Sequence, residues 1–174
     1  LGLRRRELFL TRGRLDAPVR GLRIAGRQVS WALLGPVLIL LLGGLFFLVM
    51  AADNPTALGS FAAAIPWLPL VLLAAGMNAF FEEGMYRAAP LALLGPAVGG
   101  RQAIWLTAVW FGLGHYFGGI PSGPIGAAQA GFLGLLLGKA MLDTRGLGWP
   151  WIIHVAMDTV IYAFFAMLAG VPVG

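Results

Sequence analysis

Residues 31–52 read WALLGPVLILLLGGLFFLVMAA, a run of 22 residues without a charged side chain. About 20 such residues form a helix long enough to cross the hydrocarbon core of a membrane. The whole chain has the same character, because 59% of its residues are hydrophobic, 11% are charged and its mean hydropathy is +0.85. Soluble domains carry about a quarter charged residues. The sequence therefore predicts an integral membrane protein.

Further apolar segments follow this first one and are separated by Gly-Pro and Gly-Gly pairs, which interrupt helices. The uncharged run of residues 54–81 continues as a helical pattern to about residue 94, and later spans are expected at about 102–117, 125–142 and 149–168. We expect an all-α fold, a transmembrane helical bundle of about five spans over residues 31–174, preceded by a basic interfacial arm over residues 1–30.

Charge is distributed unevenly along the chain. The arm carries eight arginines and two acids, a net charge of +6, whereas residues 31–174 carry four basic and five acidic residues, a net charge of −1. A basic segment beside an apolar body favours contact with anionic lipid head groups. It does not favour nucleic acid, which needs a basic module of soluble composition.

Loop charges also predict an orientation. With five spans, every Lys and Arg of the loops lies on one side of the membrane, and the positive-inside rule makes that side cytoplasmic, with the N-terminus. The chain holds eleven arginines and one lysine, a bias that suggests a bacterial protein and hence the bacterial plasma membrane.

Small residues recur at four-residue spacing in the segment 125–142, as in Ala127/Gly131, Ala130/Gly134 and Gly134/Gly138. Such residues let helix backbones approach closely in a membrane. We interpret this pattern as packing.

Six ionisable residues lie inside the predicted spans: Glu82, Glu83, Arg87, His115, His154 and Asp158. Each costs about 2.5–3.5 kcal/mol at membrane depth, so a group of six predicts function. Glu83 and Arg87 have the i, i+4 spacing of a helical ion pair. Glu82 is turned about 100° away from Glu83 on the same helix.

The other polar residues repeat the same spacing on later spans. Phe111 and His115 share one helical face, and His154 and Asp158 share another. A glutamate and a histidine that converge on one water can activate it as a nucleophile, while a second histidine stabilises the oxyanion of a peptide carbonyl. Alternatively, Glu82, His115, His154 and Asp158 bind a zinc ion that activates the water. The sequence leaves both forms of peptide hydrolysis open, with zinc or with no cofactor.

Other protease chemistries fit poorly. The chain has no cysteine, which excludes a thiol nucleophile and thiolate metal sites. Serine occurs only at positions 30, 60 and 122, outside the context that a serine nucleophile in a membrane uses, and the zinc-protease motif His-Glu-x-x-His is missing. An aspartyl dyad needs a second intramembrane aspartate beside Asp158.

Three motifs in order carry a resemblance to a known family. They are E-E-x-x-x-R over residues 82–87, F-x-x-x-H over 111–115 and H-x-x-x-D over 154–158. Over about residues 75–168 they resemble the CAAX protease and bacteriocin-processing family of intramembrane proteases. The resemblance implies that Glu82 is the water-activating base and that His115 shares the water. It also implies that Glu83 and Arg87 are a supporting ion pair, with Phe111 packing beside them, and that His154 and Asp158 form the oxyanion or metal-binding side.

One position departs from the family pattern. Members that trim prenylated proteins have asparagine where this chain has Asp158. An ionised aspartate repels an oxyanion, so Asp158 is protonated, or orients His154, or binds metal. The departure also weakens the case for a prenylated substrate.

The sequence thus predicts an intramembrane endopeptidase acting on a membrane-associated peptide or protein. The alternative is a non-catalytic bacteriocin-immunity or scaffold protein that uses the same polar cluster for binding. A proton or ion pathway is a third possibility. The lack of a continuous polar stripe beyond the cluster argues against it.

Overall fold

The computed structural model describes residues 4–169 and begins with an irregular segment that leads into a β-hairpin. Strand β1 (Pro18–Ile24) pairs antiparallel with β2 (Arg27–Ser30), and Ile24 lies opposite Arg27. Ala25 and Gly26 both have positive φ angles, 48° and 77°. Two such residues make the tight turn that matches the twist of a hairpin. The sequence did not predict this hairpin within the basic arm.

The remainder of the described chain is helical. The helices are α1 (Trp31–Asp53), α2 (Phe61–Ala64), α3 (Leu68–Glu82), α4 (Ala89–Val98), α5 (Gly100–Gly118), α6 (Gly123–Thr144) and α7 (Gly148–Ala169). A π-helix (Glu83–Ala88) joins α3 to α4, and short 3-10 turns (Ala57–Ser60 and Ile65–Trp67) flank α2. The prediction of an all-α transmembrane helical bundle is confirmed.

Four helical segments of the described chain are long and apolar enough to cross a membrane: Trp31–Asp53, Ala57–Val98, Gly123–Thr144 and Gly148–Ala169. The predicted span at 102–117 folds as α5 but is not one of these four. Its sequence explains the difference, because α5 combines four glycines with polar residues that include Arg101, Gln102 and His115. These residues lower its hydropathy, although 19 residues extend about 28 Å.

The chain divides into two compact units. The first unit contains the residues up to Leu33 together with Phe81–Pro150, and the second contains Leu34–Phe80 together with the residues from Trp151 onward.

Helices α5 and α6 pack closely in the first unit. A Cβ atom added to Gly112 would lie 2.7 Å from the carbonyl oxygen of Ala127, and one added to Gly134 would lie 2.9 Å from the Cα of Ala108. Both distances are too short for a real Cβ, so glycine is required at both positions. The interpretation of the small residues as packing is confirmed at Gly134.

The basic arm is attached to the same unit. The backbone N–H of Arg14 donates to the carbonyl of Thr144 at 2.8 Å, and that of Leu147 donates to the carbonyl of Thr11 at 2.8 Å. Phe9 packs against the buried cluster that Met141 and its neighbours form. The arm therefore lies against the turn between α6 and α7.

The second unit is built from α2, most of α1 and α3, and α7. The rings of Phe47 and Phe164 lie edge to face at 5.6 Å, which joins α1 to α7. The indole N–H of Trp151 donates to the carbonyl of Gly76 at 2.9 Å, which joins α7 to α3. These contacts fix the helix that carries His154 and Asp158 against the second half of α3.

Candidate active site

The first motif lies at the change from α3 to the π-helix. Glu82 is the last residue of α3, and Glu83 is the first residue of the π-helix. A π-helix widens the turn and occurs mainly as a short insertion at functional sites. The sequence predicted a regular helix here, because an i, i+4 pair gives no sign of a wider turn.

Glu83 and Arg87 form a bidentate ion pair inside this π-helix. The Nε of Arg87 donates to Oε2 of Glu83 at 2.6 Å, and Nη2 donates to Oε1. Both side chains are 0% exposed. A buried ion pair needs such geometry, because two desolvated charges are costly unless they neutralise each other. The remaining nitrogen, Nη1 of Arg87, is buried without a hydrogen-bond partner among the described residues.

A stack of rings connects this ion pair to the second motif. The guanidinium carbon of Arg87 lies 4.2 Å from the ring centre of Phe111, within the range of a cation–π contact. Phe111 is buried and lies 4.4 Å from the imidazole of His115, at an interplanar angle of 68°. The ion pair, Phe111 and His115 therefore form one continuous set of contacts.

His115 is held from two directions. Its Nδ1 lies 3.3 Å from the carbonyl oxygen of Phe111, one turn earlier on α5. A proton on Nδ1 makes this contact a hydrogen bond and leaves Nε2 as the acceptor nitrogen of the ring. The imidazole also lies against the backbone of Gly119, where a Cβ would overlap it. His115 is half-buried.

The third motif occupies the second unit. His154 and Asp158 are 4% and 6% exposed, and Nε2 of His154 lies 3.6 Å from Oδ1 of Asp158. The side-chain amide of Asn78 donates to Oδ2 of Asp158 at 3.1 Å. Asp158 is therefore placed between an amide donor and an imidazole.

A model of the family described as type II CAAX prenyl endopeptidase Rce1-like matches residues 63–160. This range covers more than half of the chain and contains all three motifs. The chain belongs to the type II CAAX prenyl endopeptidase Rce1-like family. The resemblance drawn from the three motifs is thus confirmed, and the protein is a CAAX-protease-like integral membrane protein. No curated protein and no solved structure matches it.

The seven predicted site residues of this Rce1-like chain are divided between the two units. The first unit holds Glu82, Glu83, Arg87, Phe111 and His115, and the second holds His154 and Asp158. Among residues 4–169 there is no group of three or more His, Asp or Glu side chains that could hold a metal ion.

Two further residues contact the candidate site residues and are not predicted by the sequence analysis. Asn78 stands one turn before Glu82, within the uncharged run of residues 54–81. The signal that could have found it is its i, i+4 spacing from Glu82. Tyr86 packs its ring 5.2 Å from that of Phe111, and a Cβ added to Gly114 would lie 3.0 Å from its hydroxyl. Gly114 therefore leaves the space that the hydroxyl of Tyr86 occupies.

Proposed function

We propose that the protein is an intramembrane endopeptidase that hydrolyses a peptide bond of a membrane-associated peptide or protein, with a water activated by Glu82 and His115. The observation that carries this proposal is the continuous set of contacts from the buried Glu83–Arg87 pair through Phe111 to His115. It fixes the segment that bears Glu82 and the helix that bears His115 in one unit, as a shared water requires.

In the proposed reaction Glu82 takes a proton from the water as the oxygen forms a bond to the carbonyl carbon. The negative charge moves to the carbonyl oxygen. When the carbon–nitrogen bond breaks, the proton passes from Glu82 to the departing amine. Arg87 neutralises Glu83, so the charge beside the reacting carboxylate is already compensated.

We assign to His154 the role of hydrogen-bond donor to the oxyanion. We assign to Asp158 the role of partner to the imidazole of His154. Of the roles that the sequence left open, the contacts favour Asp158 as a partner of the imidazole, because Asn78 donates to one of its oxygens and His154 lies near the other. Asp158 orients the imidazole of His154, whose N–H donates a hydrogen bond to the developing oxyanion. This route uses no metal.

We also propose that the N-terminus lies on the cytoplasmic side of a bacterial plasma membrane. Contacts within the first unit support one shared face for three basic segments. These are the arm, the start of α5 with Arg101, and the turn after α6 with Arg145. The arm bonds to the turn after α6, and a Cβ on Gly100, beside Arg101, would lie 3.0 Å from Leu142 of the same helix.

Replacement of the base tests the function. The protein is reconstituted in liposomes with a panel of membrane-spanning peptides and of farnesylated and unmodified C-terminal peptides, and products are identified by mass spectrometry. Glu82→Gln should lower turnover by about 10²–10⁴-fold, because the amide cannot accept the proton of the water. Glu7→Gln is the matched control, since Glu7 is an exposed glutamate of the arm.

Retained cleavage by Glu82→Gln would contradict the proposal. Peptide binding that survives in both the wild type and Glu82→Gln, without products, would favour the non-catalytic immunity or scaffold function. Zinc analysis of the purified protein, with turnover measured before and after chelation, decides whether a metal takes part.

A further inference from the structure

We propose that the β-hairpin of residues 18–30 binds anionic phospholipid head groups and inserts Ile24 at its tip into the membrane interface. This inference does not depend on proteolysis. It assigns the arm's lipid contact, which the sequence suggested only from total charge, to one structural element and one apolar residue.

The arginines of the hairpin differ from one another in their ion pairs. Arg20, the first arginine of the hairpin, has an acidic partner, because its Nε lies 3.7 Å from Oδ1 of Asp143. Among residues 4–169 no carboxylate forms an ion pair with either Arg23 or Arg27, and both side chains are exposed. Positive charge therefore remains uncompensated on the hairpin.

The tip between these two arginines is apolar. Ile24 is 63% exposed and is followed by the exposed residues Ala25 and Gly26. The guanidinium of Arg23 donates to the carbonyl of Gly26 at 2.8 Å, which braces the turn. A lone exposed isoleucine is ordinary on a protein surface. Between two uncompensated arginines it gives the pattern of an interfacial anchor, apolar at the tip and cationic around it.

The hairpin is fixed beside the end of α6. The backbone N–H of Arg20 donates to Oδ2 of Asp143 at 3.1 Å, and Nζ of Lys139 donates to the carbonyl of Arg20 at 2.8 Å. Lys139 stands a full turn before Asp143, so β1 lies along the flank of α6 and does not extend from its end. Val19 and Val29 are buried on the inner side. The opposite side of the hairpin is exposed, and it faces whatever surrounds α6 at this level.

The position along the chain favours lipid as the partner. Strand β2 ends at Ser30, and the apolar helix α1 begins at Trp31. Arg27 is four residues from the start of this span, so its Cα lies within about 14 Å of it. This distance reaches the head-group layer, where guanidinium groups bind phosphate oxygens bidentately.

A label beside Ile24 tests the contact. The chain has no cysteine, so Ala25→Cys provides a single site for a polarity-sensitive fluorophore and retains Ile24. The labelled protein is placed in nanodiscs of phosphatidylcholine alone or with phosphatidylglycerol, and quenching by nitroxide-labelled lipid is measured. Asp16→Cys, an exposed position of the arm before the hairpin, is the control site.

We expect strong quenching at position 25 in the anionic nanodiscs, weaker quenching in the neutral ones and little at position 16 in either. Replacement of Arg23 or Arg27 by Gln should lower the ratio of lipid-inserted to free hairpin about fivefold for each arginine. Ile24→Asp should reduce quenching, with the melting temperature unchanged because this side chain is exposed.

Three results would overturn the proposal. They are a label at position 25 that stays in water in both lipids, equal quenching with and without phosphatidylglycerol, and shielding of the label that appears only when a peptide or soluble protein is added. The last result would make the hairpin a protein-docking element.

Discussion

Two acid–base pairs of the first unit share the i, i+4 spacing but differ in their surroundings. Glu83 and Arg87 are both 0% exposed, and the guanidinium donates two hydrogen bonds to the carboxylate. In the pair at the end of α6, Asp143 is 4% exposed while Lys139 is 40% exposed. In the first pair both side chains are removed from solvent, whereas in the second pair only the acidic side chain is.

The carboxylate of Asp143 has donors on three different elements. Oδ2 of Asp143 accepts from Nζ of Lys139 at 2.9 Å, from the indole of Trp31 at 3.1 Å and from the backbone of Arg20 at 3.1 Å. Asp143 thus joins α1, β1 and α6, whereas Glu83 forms its ion pair with Arg87 inside one π-helix. Equal spacing in sequence therefore does not give equal surroundings.

The largest effect should come from removing Arg87. Arg87→Met removes the guanidinium that neutralises the buried Glu83, and breaking a buried ion pair on one side costs about 3–5 kcal/mol in the free energy of unfolding. Thermal unfolding and folded yield in detergent measure this cost. Arg101→Met, at an exposed arginine, should change little.

A double variant examines the cause of that loss. If charge is the reason, adding Glu83→Gln to Arg87→Met should recover part of the lost stability. A double variant as unstable as the single one would show that packing against Phe111 matters more than charge.

A smaller effect is expected from Asp143→Ala. This change deprives the indole of Trp31 and the backbone N–H of Arg20 of their acceptor, at about 1–3 kcal/mol. Because these donors hold the hairpin, hydrogen exchange should rise at residues 18–30 and stay unchanged over the π-helix. Uniform acceleration over the whole first unit would contradict the local role of Asp143.

The smallest effect should follow Lys139→Met. Asp143 keeps its other donors, and a partly exposed lysine contributes at most about 1 kcal/mol. Thermal unfolding beside Arg145→Met, at another exposed basic residue near the end of α6, provides the comparison. A loss as large as that of Arg87→Met would show that the two pairs are equivalent after all.

The sequence could predict those features that depend on local spacing. The partnership of Glu83 with Arg87 follows from i, i+4 geometry, and the membrane helices follow from hydropathy. The π-helix does not, because its wider turn exists only where buried contacts such as Arg87 on Phe111 fix the side chains. Whether Glu82, His115, His154 and Asp158 perform the chemistry stays a prediction.

Contacts between distant segments were beyond prediction for another reason. The sequence predicts the basic arm from its charge alone, whereas its hairpin is bonded to Asp143, more than a hundred residues later. Asn78 lies within the uncharged run of residues 54–81, and its partner Asp158 lies 80 positions away. Periodicity carries no information on such partners.

The close approach of α5 to α6 at Gly112 and Gly134 limits how a polypeptide can reach His115 from the bilayer. With glycine Cα atoms set against opposing backbone, neither helix can rotate or slide without a steric clash. In the proposed endopeptidase, a substrate that enters laterally should therefore leave this helix pair intact.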